Sequence, residues 1–284
     1  MQADPAKFLL THARHDVVHC NFPGMFRSID RSSGNRERVE LTYRVSDKLT
    51  IEAVLTYALC ADDLRVLLGL IAFAAIQDST GAIVLGKAPQ SPEGRELRDL
   101  LETNKAAESL NACIVRCPYS ELAREIGYRG TRNTGMIKAV IKRLSMVTFF
   151  VHEGHTRMSY RLLSHTLVDR KGVAVALNPR LAAAIMGGHH VRIPMDEIRN
   201  LHSPAALLMH QRICAWLNPG FSSPVYLATL VSYVFPDPTE GSTHRKRLYI
   251  VRVGLAELGN LPGWKVHIAD KCVIKRPKQL KADG

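Results

Sequence analysis

Two stretches of this chain, residues 120–163 and 224–274, each place an amphipathic helix, a turn, a basic helix and a strand hairpin in succession. Between Ile126 and His152 there is no Asp or Glu, yet Arg129, Arg132, Lys138, Lys142 and Arg143 fall there. Between Gly241 and Ala256 there is again no acid, yet Arg245, Lys246, Arg247 and Arg252 do. A helix joined to a second helix by a few residues must bury one apolar stripe against its neighbours and leave the other face to solvent. When that free face is cationic and a hairpin follows, the pattern is that of a helix-turn-helix with a wing. Two such units in one chain predict a protein that grips duplex DNA at two adjoining places.

Local signals set the elements. In the first unit Ser120 is the expected N-cap, Gly127 the C′ glycine and Thr134 the cap of the basic helix. Ile137, Val140, Ile141 and Leu144 fall at i, i+3, i+4, i+7 and face the core. Segments 147–152 and 158–163 form the hairpin, with Arg157 beside its tip. In the second unit Ser203-Pro204 opens a long helix that Asn218-Pro219-Gly220 stops. A short helix with Leu227, Leu230, Val231 and Val234 follows. Ser242 or Thr243 caps the basic helix, whose core side is Val251, Leu255 and Leu258. Segments 264–268 and 272–274 make the last hairpin, with Asp270-Lys271 at its tip.

Upstream of these, 39–45 alternates like an edge strand, and Asp62 or Asp63 caps an apolar helix reaching Ala75. Residues 83–85 and 113–117 are short strands, and 95–102 is a surface helix. Residues 164–172 are polar and serve as the linker. Then come a strand at 173–177, a helix started by Asn178-Pro179 and ended by Gly187-Gly188, and a strand at 189–193. A basic frayed tail follows at 276–284. The expected fold class is α+β: two tandem winged-helix domains, 1–168 and 169–284, related by internal duplication. An edge strand at 39–45 or around 173–177 offers a route to self-association.

Composition enters as a choice of partner. The 284 residues carry 38 Lys and Arg against 26 Asp and Glu, a formal charge of +12 and a pI near 9.6. That surplus favours a polyanion, because each phosphate neutralised releases condensed counterions. A membrane is not the expected partner. The most apolar run, 64–76, contains Arg65 and is shorter than the ~20 residues a bilayer core requires. The first ten residues, with Asp4 among them, do not read as a signal peptide. Six scattered cysteines suit reduced core positions in a cytoplasmic protein better than a disulfide framework.

The N-terminal part of a recognition helix reads base edges. The candidates are Asn133, Thr134 and Lys138 in the first unit, and Thr243, His244, Arg245, Lys246 and Arg247 in the second. Asn suits adenine, and Arg or Lys suits guanine. Lys142, Arg143, Arg252 and the wing residues Arg157 and Lys271 suit phosphates, which position a protein without reading sequence, and Arg129, Arg132 and Ser242 complete the expected DNA-binding set. Other chemistry is weaker. Residues 81–88 approach a phosphate-binding loop, but Ala88 lacks the hydroxyl for magnesium and 82–85 prefers a buried strand. His12, His15, His19 and Cys20 lack finger spacing, so no metal or cofactor is expected. Adjacent His189 and His190 on a strand point to opposite faces, against a nickase. No catalytic constellation stands out, and the chain is not expected to be an enzyme.

Several short motifs, in order along nearly the whole chain, resemble the replication initiator protein C of IncQ-type plasmids, an iteron-binding family. They are Arg14-His15-Asp16, Ala61-Asp62-Asp63-Leu64-Arg65, Ala176-Leu177-Asn178-Pro179, Met186-Gly187-Gly188, Val191-Arg192-Ile193 with Met195-Asp196-Glu197, His210-Gln211-Arg212 with Trp216, Gly241-Ser242-Thr243 with Arg245-Lys246-Arg247, and Arg276-Pro277-Lys278. The resemblance implies two winged-helix domains, binding to direct origin repeats, local opening of an A·T-rich segment and recruitment of a plasmid-encoded helicase and primase. It implies no catalysis. It carries over to Arg245, Lys246 and Arg247, after which Leu248, Tyr249 and Ile250 turn apolar. A winged-helix transcriptional repressor is the alternative, and would be expected to use one module per chain as a symmetric dimer on an inverted repeat.

Overall fold

The computed structural model describes residues 8–29, 36–76, 82–85, 112–128, 133–168 and 172–278. In chain order its strands are β1 (His12–Asp16), β2 (Val39–Arg44), β3 (Leu49–Leu55), β4 (Ala82–Leu85), β5 (Ala112–Pro118), β6 (Val147–Glu153), β7 (Thr156–Arg161), β8 (Leu163–Val168), β9 (Gly172–Leu177), β10 (His190–Pro194), β11 (Ser222–Tyr226), β12 (Lys265–His267) and β13 (Lys271–Lys275). Its helices are α1 (Val17–Asn21), α2 (Ala61–Ala75), α3 (Tyr119–Glu125), α4 (Asn133–Ser145), α5 (Pro179–Ile185), α6 (Met195–Asn200), α7 (Pro204–Trp216), α8 (Leu227–Val234) and α9 (Gly241–Gly259). The expected surface helix at 95–102 lies outside the described residues.

The contacts draw two units, each assembled from separate stretches. The first takes the described residues within 1–16, 65–149 and 159–199, and the second those within 17–64, 150–158 and 200–284. This is not the expected division into 1–168 and 169–284. The described residues of the expected linker, 164–168 and 172, belong to strands: β8 pairs antiparallel with β9 from Leu163↔Leu177 to Val168↔Val173, with a register shift between Leu163 and His165. That shift breaks the period-2 pattern, and the remaining Ser, His and Thr give the strand the composition of a loop.

In the first unit the sheet order is β4-β5-β9-β8, all antiparallel. Cys113, Ile114 and Val115 of β5 and Val175, Ala176 and Leu177 of β9 are all buried, so both faces of the two central strands are covered. β9 is therefore not an edge, and the expected self-pairing around 173–177 has no free strand there. From Arg65 onward α2 is buried nearly all round, which makes it a core helix rather than an amphipathic one. Gly69 is where α3 approaches it: a Cβ there would lie 2.4 Å from Ile126 Cγ2. Arg65 is itself buried and donates to the carbonyls of Ile126 (3.1 Å) and Ile198 (2.5 Å), which lie at the ends of α3 and α6. The end of α3 is a Schellman motif, with Gly127 N–H on Arg124 O and Tyr128 N–H on Ala123 O. Gly127 has φ +86°, as its expected C′ role requires. The expected caps fall differently. Pro118 precedes α3, so Ser120 lies inside it, and α4 already begins at Asn133.

β1 pairs antiparallel with β10, an element the sequence does not announce because His12–Asp16 is short and polar. Strand alternation sends His12 and His15 to opposite faces, so they do not converge on a metal. Burial, then Arg192, Arg14 and His190, lowers the His12 pKa from 6.5 to about 4. A base that resists protonation when folded and accepts it when unfolded costs stability as pH falls from about 6.5 to about 4. The His12→Gln variant is therefore expected to lose less stability than the natural chain between pH 7.5 and pH 4.5 in urea titrations. Equal losses would remove His12 from the acid response.

In the second unit α7, α8 and α9 pack together and β11, β13 and β12 form an antiparallel sheet in that order. Ser203 caps α7, its Oγ accepting from Ala206 N–H at 3.1 Å, as its sequence predicts. Glu257 of α9 reaches the same terminus and accepts from the N–H groups of His202 and Ser203. Arg276 is not part of a frayed tail. It is 3% exposed and donates to the carbonyls of Cys214 and Leu217, which closes the C-terminal end of α7. β2 and β3 pair antiparallel, with residues 150–158 of the β6–β7 hairpin continuing the sheet in the order β2-β3-β6-β7. β2 lies at the edge, as expected. At the start of α2, Asp63 accepts from Cys60 N–H at 2.8 Å and pairs with Arg36 at 2.6 Å. It thus acts from the N3 position of a capping box rather than as the cap itself.

Both units repeat one order: helix, strand, helix, helix, strand, strand. In the second unit it is α7, β11, α8, α9, β12, β13, with sheet order first-third-second. Among the described residues of the first unit it is α2, β5, α3, α4, β8, β9, with β4 added between α2 and β5 as an edge strand, and β5-β9-β8 repeats that sheet order. The β6–β7 hairpin is an insertion between α4 and β8. The expected hairpin is thus found as β6–β7, with Arg157 on it, while β8–β9 takes the place in the first sheet that β12–β13 takes in the second.

Candidate nucleic-acid interface

The cationic helix α9 is held by three buried positions and one glycine. Val251, Leu255 and Leu258 are buried as their spacing predicts, and Gly254 joins them on the same face. With ~100° per residue, the opposite face carries Ser242, Tyr249 and Val253 along its centre. Arg245 and Arg252 lie on one flank and Lys246 on the other. Ser242, Thr243, His244, Arg245, Lys246 and Arg252 are all exposed. Among the described residues the side chains of Arg245, Lys246 and Arg252 enter no ion pair or hydrogen bond, so their donors remain available to a ligand. The helix starts at Gly241 (φ +63°) after Glu240, which makes no side-chain cap. Ser242 and Thr243 therefore lie in the first turn rather than capping it.

Arg247 is committed differently. It is half-buried, its guanidinium stacks over the Phe235 ring at 4.9 Å, and it donates to Asp237 O. It braces the turn between α8 and α9.

The sheet beside α9 adds Lys265, His267 and Lys275 to the Lys271 that the sequence reading names. The register puts Tyr226 opposite Lys271, Pro224 opposite Val273, and Lys275 opposite both Ser222 and Lys265. Those residues face solvent while Cys272 and Ile274 face the core. Lys265, His267, Lys271 and Lys275 thus share one acid-free face with Tyr226, whose ring lies 5.6 Å from the Lys271 ammonium. The signal was present as alternation in 271–275, where every second residue after Lys271 points outward.

In the first unit Ile137, Val140, Ile141 and Leu144 are buried, so α4 turns Gly135, Ala139 and Lys142 to solvent. Lys138 is half-buried, with its ammonium 5.1 Å from the Tyr119 ring of α3. Asn133, Thr134 and Arg143 are half-buried on the same helix. Arg129 and Arg132 lie outside the described residues. Arg157 is exposed, on the part of the inserted hairpin that groups with the second unit. No helix of the described residues is long and apolar enough to cross a membrane.

A family model described as replication protein C (RepC) matches residues 7–278. The chain belongs to the RepC family. Membership gives this RepC chain a role in DNA replication, the setting in which cationic helix faces have phosphate to meet. No curated protein matches its sequence significantly. Its fold is similar to that of domains 2 and 3 of RctB. One crystal structure of those domains, spanning RctB 155–483, is 10% identical, covers 92% of this chain and 96% of that one, and gives a TM-score of 0.59. A selenomethionine derivative is 12% identical, covers 92% and 98%, and gives 0.57. At such identities the likeness is one of fold.

Proposed function

We propose that this RepC chain is a plasmid replication initiator that binds directly repeated origin sequences through two winged-helix modules. The observation that carries the reading is the exposed, unpaired cationic surface of α9, on a helix–strand–helix–helix–strand–strand scaffold that recurs with the same strand order in the other unit. In each module the second helix of the helix pair, α4 or α9, enters a major groove of the repeat, and in the second module Lys265, Lys271 and Lys275 of the adjoining hairpin meet phosphate. Copies loaded on tandem repeats strain the duplex, and flexible A·T-rich steps open at least cost. The plasmid helicase and primase are recruited to the opened strand. On this reading the chain performs no catalysis, needs no cofactor and works in the bacterial cytoplasm, and the β2 edge is the route to self-association.

A nuclease footprint on the parental plasmid tests the reading. Tandem protected sites beside an A·T-rich segment are expected, whereas one palindrome over a promoter would make the chain a repressor. Phosphate contacts by Lys142, Arg252 and Lys271 alone predict a log–log salt slope of about −2.7, at about −0.9 per phosphate. The Lys271→Ala variant is expected to make that slope shallower by about 0.9. An affinity independent of salt would count against groove binding.

A further inference from the structure

The centre of the outward face of α9 is apolar. Tyr249 is 68% exposed and Val253 46% exposed, four residues apart on one stripe, with no core to cover them. Together they form an apolar stripe on an otherwise cationic face, and a partner that covers the stripe removes that area from water. The flanks hold Arg245 and Arg252 on one side and Lys246 on the other, and no acid lies between Gly241 and Ala256. An apolar partner helix would have to bury those three unpaired cations beside it, at a desolvation cost. A major groove meets both demands together: phosphates along its two rims, and on its floor the C5 methyl of thymine, its main apolar feature.

We infer that Tyr249 and Val253 form a thymine-methyl reader at the centre of the recognition face, so that the bound sequence is specified by methyl contacts as well as by hydrogen bonds from Arg245 and Lys246. The inference rests on the proposed DNA-binding role and adds what that role does not contain, the base identity that these two side chains select. Four helical residues advance ~6 Å, so the two side chains address different base pairs. The Tyr249 ring, held by two torsions, offers a rigid face to a methyl group, and its hydroxyl is not required for that contact.

The test uses the full chain and a duplex library with a random core. The sequence enriched by the natural protein is rebuilt with each thymine replaced in turn by deoxyuridine, which removes only the methyl. At least one replacement is expected to weaken binding about fourfold, the equivalent of one buried methyl. Tyr249→Ala or Val253→Ala should bind the unmodified duplex more weakly and become indifferent to that replacement, while Tyr249→Phe should keep the sensitivity. Both residues are exposed, so unchanged thermal midpoints are expected to accompany these losses. An enriched sequence indifferent to every replacement, or a sensitivity that persists in both alanine variants, overturns the methyl reader and leaves the DNA-binding role standing. Failure to enrich any sequence overturns both.

Discussion

Replacing Arg245 and Lys246 together by alanine is expected to lower affinity for the origin repeats about 100-fold while leaving the thermal midpoint of unfolding almost unchanged. A side chain that reads a base edge by charge-assisted hydrogen bonds contributes about 1–3 kcal/mol of discrimination, and each 1.4 kcal/mol is tenfold. Both residues are exposed in the first turns of α9, and among the described residues neither side chain has a partner. Folding therefore loses only surface atoms, a change normally within about 0.5 kcal/mol. Arg247 provides the contrast within one turn of the same helix. Its stacking on Phe235 and its bond to Asp237 O make it part of the scaffold. Arg247→Ala is thus expected to lose stability by about 1–2 kcal/mol and to lose binding through the turn it braces. Fluorescence anisotropy at fixed salt, with thermal melts of the same samples, separates the two cases. Unchanged affinity in the double variant would remove α9 from the interface.

What could be read from the sequence was whatever depends on local periodicity and capping. The buried stripe of α4, the Asn178 and Ser203 caps, the C′ glycine at 127 and the core side of α9 all follow from spacing within a few turns, and all are found. Strand pairing was less legible because it is set by partners far away in the chain. His12–Asp16 carries no strand signal of its own and becomes one by pairing with His190–Pro194. Pro224 hid β11, since a proline argues against a strand, yet β11 pairs only with β13 and its other edge needs no donor. The same cause explains why the hairpin at 147–161 is read from the sequence and the β8–β9 hairpin is not. The hairpin at 147–161 follows α4 directly and alternates clearly, whereas the hairpin that completes the sheet comes next and is disguised by its register shift. Arg276 looked like tail charge because nothing local shows that two carbonyls at the end of α7 await it. Within the candidate site the cations of α9 were legible from composition. Their division into exposed Arg245 and Lys246 and braced Arg247 was not, because it depends on where the 235–238 turn folds back.

The cationic surface depends on how closely α9 lies against α7, and Gly254 sets that distance. A Cβ built there meets Met209 Cε at 2.9 Å, Ala206 N at 3.0 Å and Ala205 Cβ at 3.1 Å. The methionine methyl can swing aside, but the backbone nitrogen cannot move without shifting α7 itself. Helix propensity alone would make alanine better than glycine by about 1 kcal/mol. The close contact is expected to reverse the sign, so that Gly254→Ala destabilises by about 1–2 kcal/mol. Leucine at the same position cannot be accommodated at the present separation and is expected to cost about 4 kcal/mol or more, abolishing DNA binding by unseating α9 rather than by touching its outward face. Gly135 is the internal control. It is also helical, but a Cβ there meets nothing within 4 Å. Gly135→Ala is therefore expected to stabilise by about 0.5–1 kcal/mol. Chemical denaturation of the three variants measures both signs at once, and a Gly254→Ala chain more stable than the natural one would show that α9 is not held by a close approach to α7.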